Sequence, residues 1–452
     1  MADKTRIEWA DATVNAINGC TVTSPGCTHC YAMKQAHRFD ARRGLTRQSN
    51  GGMVWTGEVR LNEKALLQPL SWKRPRRIFW NAHGDTFHES VPDEWIDRVL
   101  AVCALTPRHT HMILTKRAKR MREYMGSTAT RERIARKMLD NYRAWGVSAI
   151  PTLIDALANR AEEADPSIAA MPIRNVWLGV SVEDQTRAEE RIPDLLTTPA
   201  AVRFLSCEPL LGPIDLAAIE VNCGDGEMDA LNPINISSEW RDWLEADDGT
   251  EEEALVGFVE QYGRVPDGKP IHPTIDWVIA GGESGTGARP MHPDWARSLR
   301  DQCAGANVPF HFKQWGEWAP LEAFGGVSDG PITDRKGNVR DWMNRYVICA
   351  DRGDRLRGHS FTEHATDLVY KVGKKRAGRL LDGVTHDGFP FDCGWRAHQG
   401  TRWGRKMWGK EVRAHLAYYG EASGRVSGKP VEWPADIAFP WKGESDAMPQ
   451  DR

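Results

Sequence analysis

The amino-acid sequence predicts an α/β fold in which a parallel sheet closes partly or fully into a (β/α) barrel. Seven short apolar runs have the length and composition of buried parallel strands, and each ends in a polar or glycine-rich turn. Segments of helical character alternate with these runs, which is typical of parallel α/β proteins. Because a parallel barrel carries its site on the loops that follow the strands, polar residues at those ends are the candidate functional residues.

The elements follow one another in a regular order. The predicted strands occupy residues 13–18, 77–81, 111–114, 175–179, 202–205, 276–280 and 308–312. The predicted helices span residues 92–103, 118–124, 185–196 and 293–303. We expect Pro92, Pro193 and Pro293 at helix ends or starts, because proline lacks the N–H that a helix interior requires.

Charge is unevenly distributed along the chain, although the net charge is only −3. Residues 217–270 hold 14 acidic and 3 basic side chains, and their polar character suggests an insertion into the barrel, which we expect over residues 1–320. Residues 321–452 are predicted to form a C-terminal extension. Within it, residues 371–413 hold 11 basic and 4 acidic side chains, so the extension is a possible substrate-binding region.

Composition indicates a cytoplasmic protein. The chain of 452 residues is 41% hydrophobic, with neither a signal-like N-terminal apolar run nor an apolar stretch of membrane-spanning length. Six of the nine cysteines are scattered singly, which is unlike a disulfide framework.

Three cysteines on one short loop are the strongest chemical signal. Cys20, Cys27 and Cys30 have the spacing Cys-x6-Cys-x2-Cys directly after the first predicted strand. Three thiolates can hold three corners of an iron–sulfur cluster and leave the fourth iron open to a small molecule. A zinc site completed by His29 or by a distant residue fits the spacing equally well.

Further candidate residues stand directly after the other predicted strands. They are Gly84, Asp85, Lys116, Ser181, Glu183, Glu208, Gly281, Gly282, Glu283 and Lys313. Individually, the carboxylates could cap the following helices and the glycines could form tight turns. Their joint position after consecutive strands favours a shared site.

At this point the chain resembles the radical S-adenosylmethionine superfamily, in which a three-cysteine loop follows the first strand of a β/α barrel. More closely, it resembles a family found in phages, prophages and bacterial genomes. The matching motifs are NGC at 18–20, CTHCYA at 27–32, WLGVSVE at 177–183, FLSCEPL at 204–210, GGESG at 281–285, FKQWG at 312–316 and KKRAGRLLDG at 374–383. Two features depart from the usual superfamily motif: the first spacing is six residues instead of three, and His29 replaces a larger aromatic residue before the last cysteine.

The resemblance implies a barrel of the radical S-adenosylmethionine type, a [4Fe-4S] cluster and S-adenosylmethionine. It implies Cys20, Cys27 and Cys30 as cluster ligands. It also assigns cofactor contacts: His29 near the adenine, Gly84 and Asp85 at the amino group, Ser181 and Glu183 at the ribose or carboxylate, and Gly281 and Gly282 at the adenine or ribose. Lys116, Glu208, Glu283 and Lys313 are then candidates for substrate contact or proton transfer.

The implied function is an enzyme that cleaves S-adenosylmethionine reductively, with an electron donor as partner. A nucleic acid or nucleotide is one candidate substrate, because the basic residues 371–413 include Trp395, Trp403 and Trp408, and cations with aromatic rings suit phosphates and unstacked bases. Alternatively, this basic segment is a solvated face that neutralises the acidic insertion of the same molecule. Two alternatives stay open. One is a zinc-containing, non-catalytic nucleic-acid-binding protein, and the other is an iron–sulfur sensor or electron-transfer protein.

Overall fold

In the computed structural model, seven strands form one parallel sheet whose spatial order equals their order in the chain. The strands are β1 (Ala12–Val14), β2 (Arg77–Trp80), β3 (Thr110–Thr115), β4 (Val176–Ser181), β5 (Val202–Cys207), β6 (Trp277–Gly281) and β7 (Phe310–Gln314). Every neighbouring pair is parallel. A doubly wound sheet would reverse its strand order at one point, whereas a barrel adds each strand beside the previous one. The predicted α/β class and partial parallel barrel are confirmed.

The structure describes most of the first 390 residues. The described residues are 5, 7–36, 38–39, 42–147, 173–220, 227–231, 274–324, 345–348, 355–357 and 367–390. Most of the predicted acidic insertion therefore lies outside them, as do Trp395, Trp403 and Trp408.

Helices cover the convex face of the sheet. Those in the described residues are α1 (Tyr31–Ala36), α2 (Glu63–Leu66), α3 (Gln68–Ser71), α4 (Asp93–Ala104), α5 (Ala118–Gly126), α6 (Thr128–Asn141), α7 (Gln185–Leu196), α8 (Pro293–Gly305) and α9 (Lys374–Ala377). Trp80 and Leu178 of the strands share a buried apolar core with Ile96 of α4 and Leu299 of α8. Because strand side chains alternate between the two faces, this core lies between the sheet and the helices.

Aromatic rings fill part of the concave face. The ring centroid of Trp9 lies 4.8 Å from that of Phe79 on β2 and 6.1 Å from that of Trp277 on β6. In a flat sheet these strands would be about 19 Å apart, at about 4.8 Å per strand. One indole contacts both because the sheet curls into a half-barrel. Gly179 of β4 leaves room for Phe204, whose ring would lie 2.6 Å from a Cβ at that position.

A C-terminal segment covers the outer edge of β7. The Phe312 N–H of β7 donates to the His386 carbonyl (3.0 Å). The Gly388 N–H donates to the Phe310 carbonyl of β7 (2.9 Å). The ring of the next residue, Phe389, lies 4.7 Å from that of Trp277 on the concave face. These contacts satisfy part of the edge that β7 would otherwise expose. Residues 1–400 form one compact unit, and the described residues 386–389 of this unit contact the barrel sheet.

Short antiparallel strands surround the barrel. They pair Ile17–Asn18 with Arg60–Leu61, Thr46–Ser49 with Gly52–Trp55, and Ile219–Glu220 with Glu227–Met228. A four-stranded antiparallel sheet has the order Trp318–Pro320, Asp367–Lys371, Arg345–Ile348 and Arg355–Arg357. A 3₁₀ turn at Pro25–Cys27 lies inside the cysteine loop, and another spans Leu321–Phe324.

Two local predictions were wrong. The predicted strand 13–18 is divided because Asn81 binds at the break, where its N–H donates to the Val14 carbonyl (2.7 Å) and its side-chain oxygen accepts from the Ile17 N–H (2.9 Å). Pro193 lies inside α7 instead of at an end, whereas Pro92 caps α4 and Pro293 begins α8 as predicted.

No helix in the part of the chain that the structure describes is long and apolar enough to cross a membrane.

Candidate functional site

The cysteine loop lies across the carboxyl ends of the strands. It begins at Gly19, which has a φ of +100°, forms a parallel bridge with Gly84 and donates its N–H to the His83 carbonyl (3.0 Å). A Cβ on Gly84 would lie 2.5 Å from the Ile17 carbonyl oxygen. The missing side chain of Gly84 therefore allows the loop and the turn after β2 to approach each other closely.

Each thiol of the loop has its own surroundings. The Cys20 Sγ accepts a hydrogen bond from Arg117 Nη1 (3.4 Å). The Cys27 Sγ lies 3.7 Å from the Ser24 hydroxyl and 3.8 Å from that of Thr23. Cys30 is half-buried against the small apolar cluster of α1. The charge of Cys27 contributes to raising the pKa of both Cys20 and Cys30.

The thiols differ in acidity. Burial, with the Asp85 carboxylate, raises the pKa of Cys20 to about 12, and burial also raises the pKa of Cys30. Burial would likewise raise the pKa of Cys27, but the Lys116 ammonium and hydrogen bonds at Thr23 and Ser24 hold it below its usual value. Because metals bind the thiolate, Cys27 is the thiol that is most readily available for a metal.

Asp85 orients the cation that contacts Cys20. Its Oδ1 accepts hydrogen bonds from the Thr115 hydroxyl (2.6 Å) and the Phe87 N–H (2.9 Å). Its Oδ2 accepts from the Lys116 N–H (3.1 Å) and from Arg117 Nη1 (3.2 Å). These four bonds use both carboxylate oxygens, so this geometry makes Asp85 an anchor for Arg117. The prediction that it meets a cofactor amino group stays a prediction.

Glu183, after β4, is a fully buried carboxylate with two cationic partners. Its Oε2 accepts a hydrogen bond from Arg191 Nη1 of α7 (3.0 Å), and its Oε1 pairs with the Lys116 ammonium. Oε1 also accepts from the Ser24 hydroxyl of the cysteine loop (2.7 Å). A Cβ at Gly26 would collide with this carboxylate. Glu183 therefore holds the loop in place through both a hydrogen bond and close packing.

Glu283, after β6, binds the opposite side of the loop. Its Oε2 lies 3.1 Å from His29 Nδ1 and 2.9 Å from Arg289 Nε, and Arg289 Nη2 donates to its Oε1 (2.7 Å). Arg289 Nη2 also donates to the Pro25 carbonyl of the loop (3.0 Å). His29 packs so closely on Gly287 that a Cβ there would lie 3.2 Å from its Nε2. This arrangement fixes the His29 ring at the edge of the site.

A second ion pair, between Lys313 and Glu208, lies on the concave face. Lys313 Nζ of β7 is 3.0 Å from Glu208 Oε1, and the Ser206 hydroxyl donates to Glu208 Oε2 (3.2 Å). A Cβ at Gly281 would lie 3.1 Å from Glu208 Oε1. The Glu208 side chain is 13% exposed and the Lys313 side chain is 19% exposed, so solvent or a ligand can reach both of them.

The remaining predicted residues have packing roles in this structure. A Cβ at Gly282 would overlap the Trp315 carbonyl, so its missing side chain is explained by the close approach of the chain after β7. The Ser181 carbonyl accepts a hydrogen bond from Arg191 Nη1 (2.7 Å).

Sequence reasoning missed the cations that organise the site. Arg117 directly follows Lys116 after β3, so its position after a strand could have indicated it. Arg191 comes from the middle of α7 and Arg289 from the loop before α8, and no local pattern marks either one. Ser24 was missed because a serine within a loop has many ordinary roles.

Two cations lie beside the thiols of the cysteine loop. Arg117 contacts Cys20 and Lys116 lowers the pKa of Cys27, so cations stand where thiolates would carry negative charge. Cys103 and Cys303 are fully buried in α4 and α8, away from the loop. Among the described residues, however, no group of three or more His, Cys, Asp or Glu side chains has an arrangement that could hold a metal ion, so the metal site stays a prediction.

Comparison with known proteins gives one result. A family described as "Protein of unknown function (DUF5131)" matches residues 4–390. The chain belongs to the DUF5131 family. The matched range contains the cysteine loop, the seven sheet strands and the segment that covers β7. No curated protein and no solved structure matches the chain.

Proposed function

We propose that the protein is an iron–sulfur enzyme that cleaves S-adenosylmethionine reductively to start radical chemistry. One observation carries the proposal: three thiols on a single loop lie at the carboxyl ends of a singly wound parallel half-barrel, beside Lys116 and Arg117. That end of a parallel barrel is where catalytic sites are built. The resemblance of the motifs to the radical S-adenosylmethionine superfamily supports the same assignment.

Cys20, Cys27 and Cys30 would hold three irons of a [4Fe-4S] cluster. Three cysteines leave the fourth iron for the amino and carboxylate groups of S-adenosylmethionine. When bound, the cluster and S-adenosylmethionine supply an electron and the ability to abstract hydrogen from an unreactive carbon. An electron donor is therefore the expected partner.

The protein's own residues hold the loop and set its charge. Glu183 and Glu283 bind the loop from two sides, through Ser24 and His29 respectively. Arg117, oriented by Asp85, donates to the Cys20 sulfur, and hydrogen bonds to cluster sulfurs tune reduction potentials. In this role these residues position the cluster; His29, Ser181 and Gly281 remain the proposed neighbours of S-adenosylmethionine.

The Glu208–Lys313 pair is the proposed substrate-facing group. Of the four predicted catalytic residues, Lys116 is paired with Glu183 and Glu283 with His29, so both are committed to the loop. Glu208 and Lys313 bind each other on the concave face instead. Such a pair can position a polar substrate group or transfer a proton to it.

The test is metal loading of the full chain, purified and reconstituted without oxygen. We expect close to four irons and four sulfides per chain in the wild-type protein, consistent with one [4Fe-4S] cluster, and reductant-dependent cleavage of S-adenosylmethionine. Cys20→Ala, Cys27→Ala and Cys30→Ala should each lose the cluster. Cys103→Ala and Cys303→Ala are matched controls that should keep it, because these thiols lie in the helical core.

Three results would contradict the proposal. One zinc per chain without sulfide would favour the zinc-protein alternative. A cluster that never cleaves S-adenosylmethionine would favour a sensor or an electron carrier. Equal iron loss in all five cysteine variants would show that the loop is not the cluster site.

A further inference from the structure

A surface beside the cysteine loop combines exposed aromatic rings with positive charge. We define the rim surface as the described residues 31–36, 38–39 and 42–47 together with His83. Tyr31 is 49% exposed and Phe39 is 48% exposed, and they are the two aromatic members of the exposed large hydrophobic side chains in the described residues. Apolar side chains scattered singly on a surface are ordinary, whereas exposed rings that lie together form a patch of the kind that marks a binding site.

The aromatic rings of the rim surface form one contiguous group. The His83 ring centroid lies 5.8 Å from that of Tyr31 and 6.4 Å from that of Phe39. The Arg42 guanidinium stacks over Phe39 at 4.5 Å and donates from Nε to the Asn18 side chain (2.9 Å). Burial and Arg42 lower the pKa of His83 to about 4, so at neutral pH this ring is an uncharged aromatic face.

The charge of this region is strongly positive. Residues 31–47 of the sequence contain five basic side chains and one acidic side chain. Arg38, Arg43 and Arg47 are exposed on the rim surface. The basic side chains therefore surround the ring group with a field that attracts polyanions.

The rim surface is continuous with the candidate site. Tyr31 directly follows Cys30, and its hydroxyl donates to the Ala82 carbonyl in the turn after β2 (3.0 Å). Lys34 Nζ donates to the Thr286 carbonyl in the loop after β6 (2.7 Å). A ligand bound here would pass directly over the carboxyl ends of the strands.

We propose that the rim surface binds single-stranded nucleic acid, which makes a nucleic-acid strand the substrate of the site. This inference deepens the proposed radical function and rests on it. Arginines suit the phosphate backbone, while Tyr31, Phe39 and His83 offer planar faces on which unpaired bases stack. An acidic protein partner would match the charge as well, but it would leave the exposed rings without a specific role.

The rim surface also differs from the basic segment that the sequence first indicated. Lys374, Lys375 and Arg376 lie in α9, while the tryptophans predicted beside them lie outside the described residues. The rim surface has rings and cations within contact distance of each other. It is therefore the better-supported location.

The experiment measures binding of labelled single-stranded DNA and RNA oligonucleotides of roughly 12 nucleotides to the full chain. Phe39→Ala should weaken binding roughly 5- to 150-fold, the equivalent of about 1–3 kcal/mol for one stacked base. Arg38→Ala and Arg47→Ala should each flatten the slope of log affinity against log salt by about 0.7 for each lost phosphate contact. Comparing the DNA and RNA arms identifies which strand is the ligand.

Controls remove similar groups elsewhere. Leu139→Ala removes an exposed apolar side chain (42% exposed) and Arg136→Ala an exposed cation, both on α6, and neither should change binding. Absence of salt-sensitive binding by the wild-type protein would overturn the inference, as would loss caused by Lys375→Ala but not by Phe39→Ala. If Arg38→Ala slows cluster reduction by an acidic redox protein while oligonucleotide binding is unchanged, the surface serves a protein instead. S-adenosylmethionine cleavage is measured separately, so failure of the radical proposal is distinguishable from failure of this one.

Discussion

At the scale of single residues, the carboxylates around the cysteine loop are neutralised by cations. Asp85 pairs with Arg117, Glu183 with Lys116 and Arg191, Glu208 with Lys313, and Glu283 with Arg289. A carboxylate buried without a partner would be costly, whereas a paired and hydrogen-bonded one holds its neighbours in fixed geometry. Each of these carboxylates therefore fixes the position of a cation at the carboxyl ends of the strands.

Removing the charge of Glu183 tests how much this pairing contributes to the fold. Glu183→Gln leaves Arg191, which is 1% exposed, without its buried carboxylate partner and with only the longer contact to Glu190 (3.8 Å), and breaking a buried pair in this way costs about 3–5 kcal/mol. We expect a correspondingly lower denaturation midpoint. Glu190→Gln on the same helix is the control: Glu190 is 54% exposed, so its loss should cost no more than about 1 kcal/mol. Equal losses of stability in the two variants would show that the buried pair contributes no more to the fold than an exposed one.

The same pair gives a pH dependence. Burial would raise the pKa of Glu183, but Lys116 and Arg191 hold it below its ordinary value. A carboxyl group with a lower pKa in the folded state stabilises the fold above its unfolded pKa of about 4.3, and this contribution is lost as the pH falls through the folded value. The stability difference between wild type and Glu183→Gln should therefore be constant near neutral pH and shrink below about pH 4. A difference that grows on acidification would contradict this sign.

Several of these residues could be predicted because they occupy the same position relative to successive strands. Asp85, Lys116 and Glu183 each follow a strand, and the strands were visible as apolar runs. The partners of these residues could not be predicted in the same way, because Arg191 is a helical residue and Ser24 a loop residue that meet Glu183 only after the chain folds. The hydrogen bond between Ser24 and Glu183 joins residues that are 159 positions apart in the chain. A local sequence pattern carries no information about a contact at that separation.

At the scale of elements, the sequence contained clear patterns for the strands and helices, but none for the break after β1 or for the segment that covers the edge of β7. The predicted helix 185–196 agrees with α7 at both ends, and each sheet strand overlaps an apolar run. The break after β1 was missed because it is caused by Asn81, which lies more than sixty residues away and binds both sides of the gap. The strand-like segment that covers β7 was missed because residues 384–388 have no apolar alternation.

This covering segment can be tested with one methyl group. In Gly388→Ala the new Cβ would lie 2.5 Å from the Phe310 carbonyl oxygen, so the segment must move away from β7. We expect a loss of about 1–3 kcal/mol, the usual cost of overpacking, measured by chemical denaturation. Gly305→Ala at the end of α8 meets open space and should be neutral. If Gly388→Ala is also neutral, the segment does not contribute to the stability of the sheet.

At the scale of the whole molecule, the barrel depends on residues far beyond its last strand. A chain that ends at residue 320 would lose the partner of the β7 edge and the Phe389 ring on the concave face. We expect it to aggregate, because an open edge pairs with other chains. A chain that ends at residue 400 keeps the whole first unit and should stay monodisperse, with an unchanged thermal midpoint. Size-exclusion chromatography of the two truncations decides the matter, and a well-behaved 320-residue chain would contradict the expectation.

The sequential strand order also has a consequence for synthesis on the ribosome. Each strand pairs with the strand that emerged just before it, so the sheet can grow as the chain is translated, without waiting for distant segments. The contacts of Trp9 with Trp277, and of Trp277 with Phe389, are different, since they join the beginning of the chain to parts made much later. A nascent chain stalled before Trp277 emerges would therefore hold a partly grown, still open sheet with its concave aromatic face uncovered. For this protein, the last part of translation is when chaperone protection matters most.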